Sequence, residues 1–246
     1  MTMGFAPVLH SEWIKTRTLR GTAVSLASVF GVTVGVTVLV MATVGRAEAD
    51  GSEDLLFGAF YAVNFGQVAA LSFGTLAFSS EYVHGALRVS LTAVPSRTRF
   101  YAAKALVVGV LGSAVGVVTG FTVFLVGQAF LGRYALSLGD PGAVRACVGA
   151  GVYLGLMALF AAGLAAVLRS GMAVLSILIP FILIVSFVVG DIATGVAAYF
   201  PDRAGQQVLH GDPTGTLGPW AGLAVTAAWA AAALLAGWWC VRRRDA

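Results

Sequence analysis

The residues that could do chemistry are sparse in this chain, and the densest run of them is Ser79-Ser80-Glu81-Tyr82-Val83-His84-Gly85-Ala86-Leu87-Arg88-Val89-Ser90-Leu91-Thr92-Ala93-Val94-Pro95. At helical spacing Val83, Leu87, Leu91 and Val94 share one face, and Glu81, His84, Arg88 and Thr92 share the opposite one. Ser79 or Ser80 is placed to cap such a helix and Pro95 to end it, because proline pushes the preceding residue away from helical angles. A mixed-charge stripe opposite an apolar one suits docking of a partner rather than catalysis. No catalytic set stands beside it. The only lysines are Lys15 and Lys104, and neither follows the glycine that a phosphate-binding loop requires. His10, His84 and His210 fall in separate segments and form no metal pair. No apolar block holds a nucleophile with a base, or paired carboxylates. The chain is therefore expected to be no enzyme by itself and to carry no metal or cofactor.

Two amides are the next feature. Asn64 and Gln67 lie one turn apart in an uncharged block that also contains Gly74. They could line a polar-tolerant substrate path, or they could tie helices together by hydrogen bonds. Spacing leaves both readings open. Gly31 with Gly35, Gly112 with Gly116 and Gly120, and Gly151 with Gly155 repeat at the four-residue spacing that lets helices approach closely in lipid. Pro180 removes a backbone donor within an apolar run and is expected to kink its helix.

These residues must be positioned by an unusually apolar chain. Of 246 residues, 59% are hydrophobic and 11% charged, against about 25% charged in soluble domains. The apolar residues form six blocks: Thr22–Gly45, Leu55–Phe78, Ala105–Gly132, Ala146–Leu168, Gly171–Gly190 and Gly218–Val241. Each is long enough to cross a hydrocarbon core of roughly 30 Å as a helix. Continuous apolarity, without alternation, favours helices over barrel strands. The expected fold is all-α: a polytopic membrane protein of six transmembrane helices forming one transmembrane domain over residues 1–246. A basic interfacial helix is expected within residues 1–21, where Phe5, Leu9 and Trp13 share a face and Glu12 intrudes near it.

Lys and Arg set the orientation. With the N-terminus inside, eleven of the fifteen fall in inner segments, and only Arg46, Arg133, Arg145 and Arg203 fall outside. Of the eleven acidic residues, only Glu12, Glu81 and Asp245 are then inside. Both termini are expected in the cytoplasm, with the cell membrane as the location. The first block, about 24 residues long, exceeds a signal-peptide core, so cleavage after Ala47-Glu48-Ala49 is not expected. Cys147 and Cys240 fall near opposite ends of their blocks, too far apart for a disulfide. The segment 79–104 is the inner docking element. The outer loop 191–217 reads equally as a re-entrant segment or a surface loop.

Three strings carry a resemblance. Ser11-Glu12-Trp13-Ile14-Lys15-Thr16-Arg17-Thr18, the run Ser80 to Arg88 continuing through Leu91-Thr92-Ala93-Val94-Pro95-Ser96-Arg97, and Ala103-Lys104 resemble permease subunits of the ABC-2 family in actinobacteria. Tyr199-Phe200-Pro201-Asp202-Arg203-Ala204-Gly205 is also similar. The resemblance implies an exporter's membrane subunit with an N-terminal interfacial helix, a coupling helix between the second and third spans, and outer re-entrant helices before the sixth. It implies as partners two cytosolic ATP-binding-cassette ATPase subunits, which hold the ATP and Mg, and a second permease, identical or related. Membrane lipids are the other expected partner, and nucleic acid is not expected. On that resemblance Glu81, His84, Arg88 and Thr92 become the ATPase-docking residues, while Asn64 and Gln67 remain candidates for the substrate path on their own spacing. A pathway without charges suits a hydrophobic or amphipathic cargo such as a lipid, peptide antibiotic or drug. The alternative from another class is a membrane sensor or assembly factor that binds a cytosolic partner without transport.

Overall fold

The computed structural model describes residues 4–52, 54–83, 85–94, 96–185, 188, 194–212 and 217–243. Among these, every regular element is helical. In chain order they are α1 (Phe5–Thr18), α2 (Arg20–Thr43), α3 (Gly45–Gly51), α4 (Leu55–Ala59), α5 (Val63–Ser79), α6 (Ala86–Ala93), α7 (Arg97–Leu131), α8 (Ala143–Leu168), α9 (Gly171–Pro180), α10 (Thr194–Ala197), α11 (Pro201–Gln206) and α12 (Pro219–Arg243). The all-α expectation holds for the described residues.

Among the described residues four helices, α2, α7, α8 and α12, are long and apolar enough to cross a membrane. They run 24, 35, 26 and 25 residues. The block Leu55–Phe78 divides into shorter helices, and the described part of Gly171–Gly190 is a helix with a widened turn, each for a local reason. In Leu55–Phe78, Asp54 caps α4 by accepting from the Phe57 N–H. Backbone bonding then tightens to three-residue steps from Phe60 to Asn64 before α5 begins, leaving α5 17 residues. In Gly171–Gly190, α9 ends after ten residues at Pro180 and continues as a π turn over Phe181–Val185. Pro180 has no N–H to donate, and the expected kink takes the form of this widened turn.

α8 is the central helix, packed against α7, α12 and α5. Its buried surface is largely alanine and glycine, so neighbouring backbones come close. Gly116 of α7 faces Gly151, Gly112 faces Gly155, and Gly120 faces the Cys147 carbonyl. The glycine stripes of the third and fourth blocks thus meet each other. Gly31 and Gly35 of α2, with the same spacing, face open space. Cys147 and Cys240 are buried free thiols.

The described part of 191–217 is folded into the bundle rather than laid over it. Pro201, Asp202, Ala204, Val208 and Leu209 are buried. Gly149 of α8 abuts Val208, and Gly222 of α12 abuts the Ala204 carbonyl. Residues 191–193 and 213–216 lie outside the described residues.

Candidate functional site

α1 buries Val8, Glu12 and Thr16, one residue per turn on a single face. Phe5 and Trp13, on the face expected at the membrane surface, are 42% and 43% exposed. The carboxylate that read as an intruder is the anchor, because α7 offers it a buried cation. Glu12 Oε2 lies 2.7 Å from Lys104 Nζ, and Glu12 Oε1 lies 2.9 Å from Lys15 Nζ. Glu81 closes the figure, its Oε1 lying 2.8 Å from Lys104 Nζ and 3.1 Å from Lys15 Nζ. Each ammonium therefore touches both carboxylates, in a square with no net charge.

Ser90 of α6 joins the square. Its hydroxyl donates to Glu81 Oε2 at 2.8 Å and accepts from Lys15 Nζ at 2.9 Å. Lys104 also donates to the Ala77 carbonyl at 3.3 Å. The Phe100 ring lies 5.5 Å from Lys15 Nζ and 5.4 Å from Lys104 Nζ, within cation–π reach. A small apolar cluster of Val8, Leu87, Val94, Phe100 and Ala103 packs around these polar contacts. The site thus fastens α1, the end of α5, α6 and α7 to one another.

Charge within the square shapes its titration. Burial would raise the Glu81 carboxyl, but the Lys104 charge and hydrogen bond, then Ser90 and Lys15, outweigh it and hold that carboxyl below its ordinary value. For Lys15, burial works to lower the ammonium, yet the hydrogen bond and charge of Glu12, then Glu81, leave it above its ordinary value. The signs differ. Stability from Glu81 is present above pH 4.5 and lost as pH falls through its lower native value; stability from Lys15 is present below pH 10.5 and lost as pH rises through its higher one. Melting temperature is therefore expected to be level across the intervening range and to fall in acid, with Glu81→Gln shrinking the acid limb. A full-sized acid limb in that variant would remove Glu81 as its source.

The docking stripe differs from its expected form. A short 3₁₀ turn covers Ser80–Tyr82, Val83 is extended, and Gly85 is left-handed at φ +72°. The helix therefore starts at Ala86, and the wheel that placed Glu81 beside Arg88 does not run through Gly85. Glu81 is buried at 5% exposure, facing inward to two lysines rather than outward on a stripe. Val83, expected on the apolar face, is 52% exposed. Leu87 and Val94, of the apolar face, are buried against α1 and α7. Arg88, Val89 and Thr92 form the exposed face of α6, with Val89 70% exposed. His84 lies outside the described residues.

Asn64 and Gln67 are joined through other segments. The Tyr153 hydroxyl of α8 donates to the Gln67 side-chain oxygen. Gln206 of α11 donates to the Asn64 side-chain oxygen at 2.9 Å and lies 3.4 Å from the Tyr153 hydroxyl. Both amides thus belong to one hydrogen-bonded chain linking α5, α8 and α11. Sequence reasoning missed Tyr153, Gln206, Ser90 and the pairing of Lys104. Its one usable signal was Glu12, a carboxylate among apolar neighbours, which needs a buried cation nearby.

Comparison with models of known protein families, with curated proteins and with solved structures finds no match to this chain.

Proposed function

We propose that this chain is the membrane-embedded permease subunit of an ATP-driven exporter of the ABC-2 type. In this reading six segments span the cell membrane: α2, α5, α7, α8, the α9 segment and α12, with α1 and α6 on the cytosolic side. A second permease and two cytosolic ATP-binding-cassette subunits complete the machine. ATP and Mg sit on those partners, and the cargo is hydrophobic or amphipathic.

One observation carries the reading: the three strings that resemble ABC-2 permeases, spread over some ninety residues, supply Glu12, Lys15, Glu81 and Lys104 to a single ion-paired knot, which Ser90 joins. Such a knot is what a coupling element needs. A push on the exposed face of α6 moves α1 and α7 with it, because Ser90 and Glu81 are held to Lys15 and Lys104. α7, at 35 residues, is about 50 Å long, so it reaches well beyond a ~30 Å hydrocarbon core and carries that motion through it. The exposed docking residues are then Arg88 and Thr92, with Val89 between them. Glu81 holds the helix in place rather than touching the ATPase.

The test is purification of the tagged full chain from its native membranes, followed by identification of what remains bound. An ATP-binding-cassette ATPase should be retained at close to equal amount. Arg88→Glu alone should weaken retention by up to about fivefold, as for one exposed ion pair. Adding Val89→Asp should weaken it at least tenfold by removing a buried apolar contact, with the chain's own melting unchanged. Absence of any such ATPase, or full retention by the double variant, would overturn the assignment.

A further inference from the structure

We propose that the groove between α1, α2 and α7 is a binding site for an anionic phospholipid, with its headgroup at Arg17 and Trp13 and one acyl chain below. The inference rests on the membrane-embedded part of the reading above and on no step of transport. α1 ends at Thr18, Leu19 is extended at φ −72° and ψ 110°, and α2 starts at Arg20, so the chain turns through an elbow. Inside it, Ala23 and Ala27 of α2 and Ala114 of α7 leave room that larger side chains would fill. A cleft of about 700 Å³ results, within the ~300–1,000 Å³ of small-molecule sites. Its walls are aliphatic and aromatic, Leu26, Phe30, Leu111 and Val115 among them, and its polar end is made by α1.

Charge selects the occupant. On α1 the Lys15 ammonium is neutralised by Glu12 and Glu81. The Thr16 hydroxyl is engaged with the Glu12 carbonyl at 2.9 Å. Arg17 lines the cleft, is exposed, and is ion-paired with no acidic side chain among the described residues. A guanidinium beside an indole, above an apolar slot, suits a phosphate-bearing headgroup with its chain in the slot. A helix of a second copy laid in the same groove would cover Arg17 with apolar surface and leave its charge unpaired. A zwitterionic lipid would bring the guanidinium no net negative charge.

The experiment titrates the full chain in detergent with phosphatidylglycerol brominated in its acyl chains and, separately, with phosphatidylcholine brominated in the same way. Trp13 emission is read as the difference between wild type and Trp13→Phe. Saturable quenching is expected, with half-quenching at about fivefold lower phosphatidylglycerol than phosphatidylcholine. Arg17→Gln should make the two lipids equal. Ala27→Phe, which fills the slot, should abolish saturable quenching by both while melting is retained. Equal quenching by the two lipids in the wild type, or a preference that survives Arg17→Gln, overturns the proposal. So does an Ala27→Phe variant that loses a dimer but keeps its lipid response, which assigns the groove to a second copy. Failure of the membrane reading itself shows differently, as a chain recovered in the soluble fraction without detergent.

Discussion

Replacing Lys104 by methionine should destabilise the chain by about 3–5 kcal/mol, the loss expected when one member of a buried ion pair is removed. The side chains of Glu12, Glu81 and Lys104 are 3%, 6% and 7% exposed. Without Lys104 two buried carboxylates share one cation, Lys15, which is 35% exposed and screened by water. The Ala77 carbonyl also loses its donor. Lys15→Met should cost less, because water reaches that end of the square. The pairing itself is tested by removing one charge of each sign. Lys104→Met with Glu81→Gln restores neutrality, and its cost should fall short of the summed single changes by at least about 1 kcal/mol. Chemical or thermal unfolding in detergent measures all four. A Lys104→Met loss under about 1 kcal/mol, or strict additivity, would show that the square contributes little.

An apolar cluster of similar volume could hold these helices as firmly, since buried ion pairs are seldom more stabilising than well-packed hydrophobic side chains. What the square adds is register. Each ammonium must reach two carboxylates from two different elements, so sliding α6 or α1 by one residue breaks contacts that apolar packing would tolerate. That property matters for an element whose proposed task is to transmit a push, because a loosely packed helix would absorb it.

Much of this architecture was legible in the chain, and the failures share a cause. Apolar runs without charges located the helical blocks, since nothing else in the sequence competes for them. Their lengths were less legible, because the tightened bonding at Phe60–Asn64 and the widened turn after Pro180 are set by local backbone geometry. The wheel over residues 79–95 failed on its first third, where Gly85 takes a left-handed angle and resets the helical phase. Leu87 and Val94, beyond the break, keep a shared apolar side, turned toward α1 and α7. The ion square was out of reach because Glu12 and Lys104 are distant in sequence, and helical spacing constrains only neighbours. Asn64 and Gln67 were readable as amides in need of partners, whereas the partners, Tyr153 and Gln206, sit in segments that periodicity does not connect to them. Asp202 falls in the 191–217 segment, for which composition left a re-entrant segment and a surface loop equally open, and it is 5% exposed.

Gly116→Val and Gly151→Val should each cost about 3 kcal/mol, at the top of the usual range for overpacking. A Cβ at Gly116 would stand 2.8 Å from Gly151 Cα and 2.9 Å from its carbonyl oxygen. Both are backbone atoms of a central helix that is itself held by α12 and α5, so no flexible side chain can swing aside. The two helices must separate, and the contacts at Gly112–Gly155 and Gly120–Cys147 then open with them. Because either change forces the same separation, the double variant should cost clearly less than the sum. Gly31→Val and Gly35→Val on α2 are the matched controls. They have the same spacing and lie in a comparably apolar helix, but a Cβ at either meets nothing within 4 Å. Their cost to the chain's own unfolding should stay near ±0.5 kcal/mol, plus the small penalty of a β-branched residue in a helix. Equal losses at the two pairs of sites would mean that glycine spacing, rather than backbone contact between α7 and α8, governs stability.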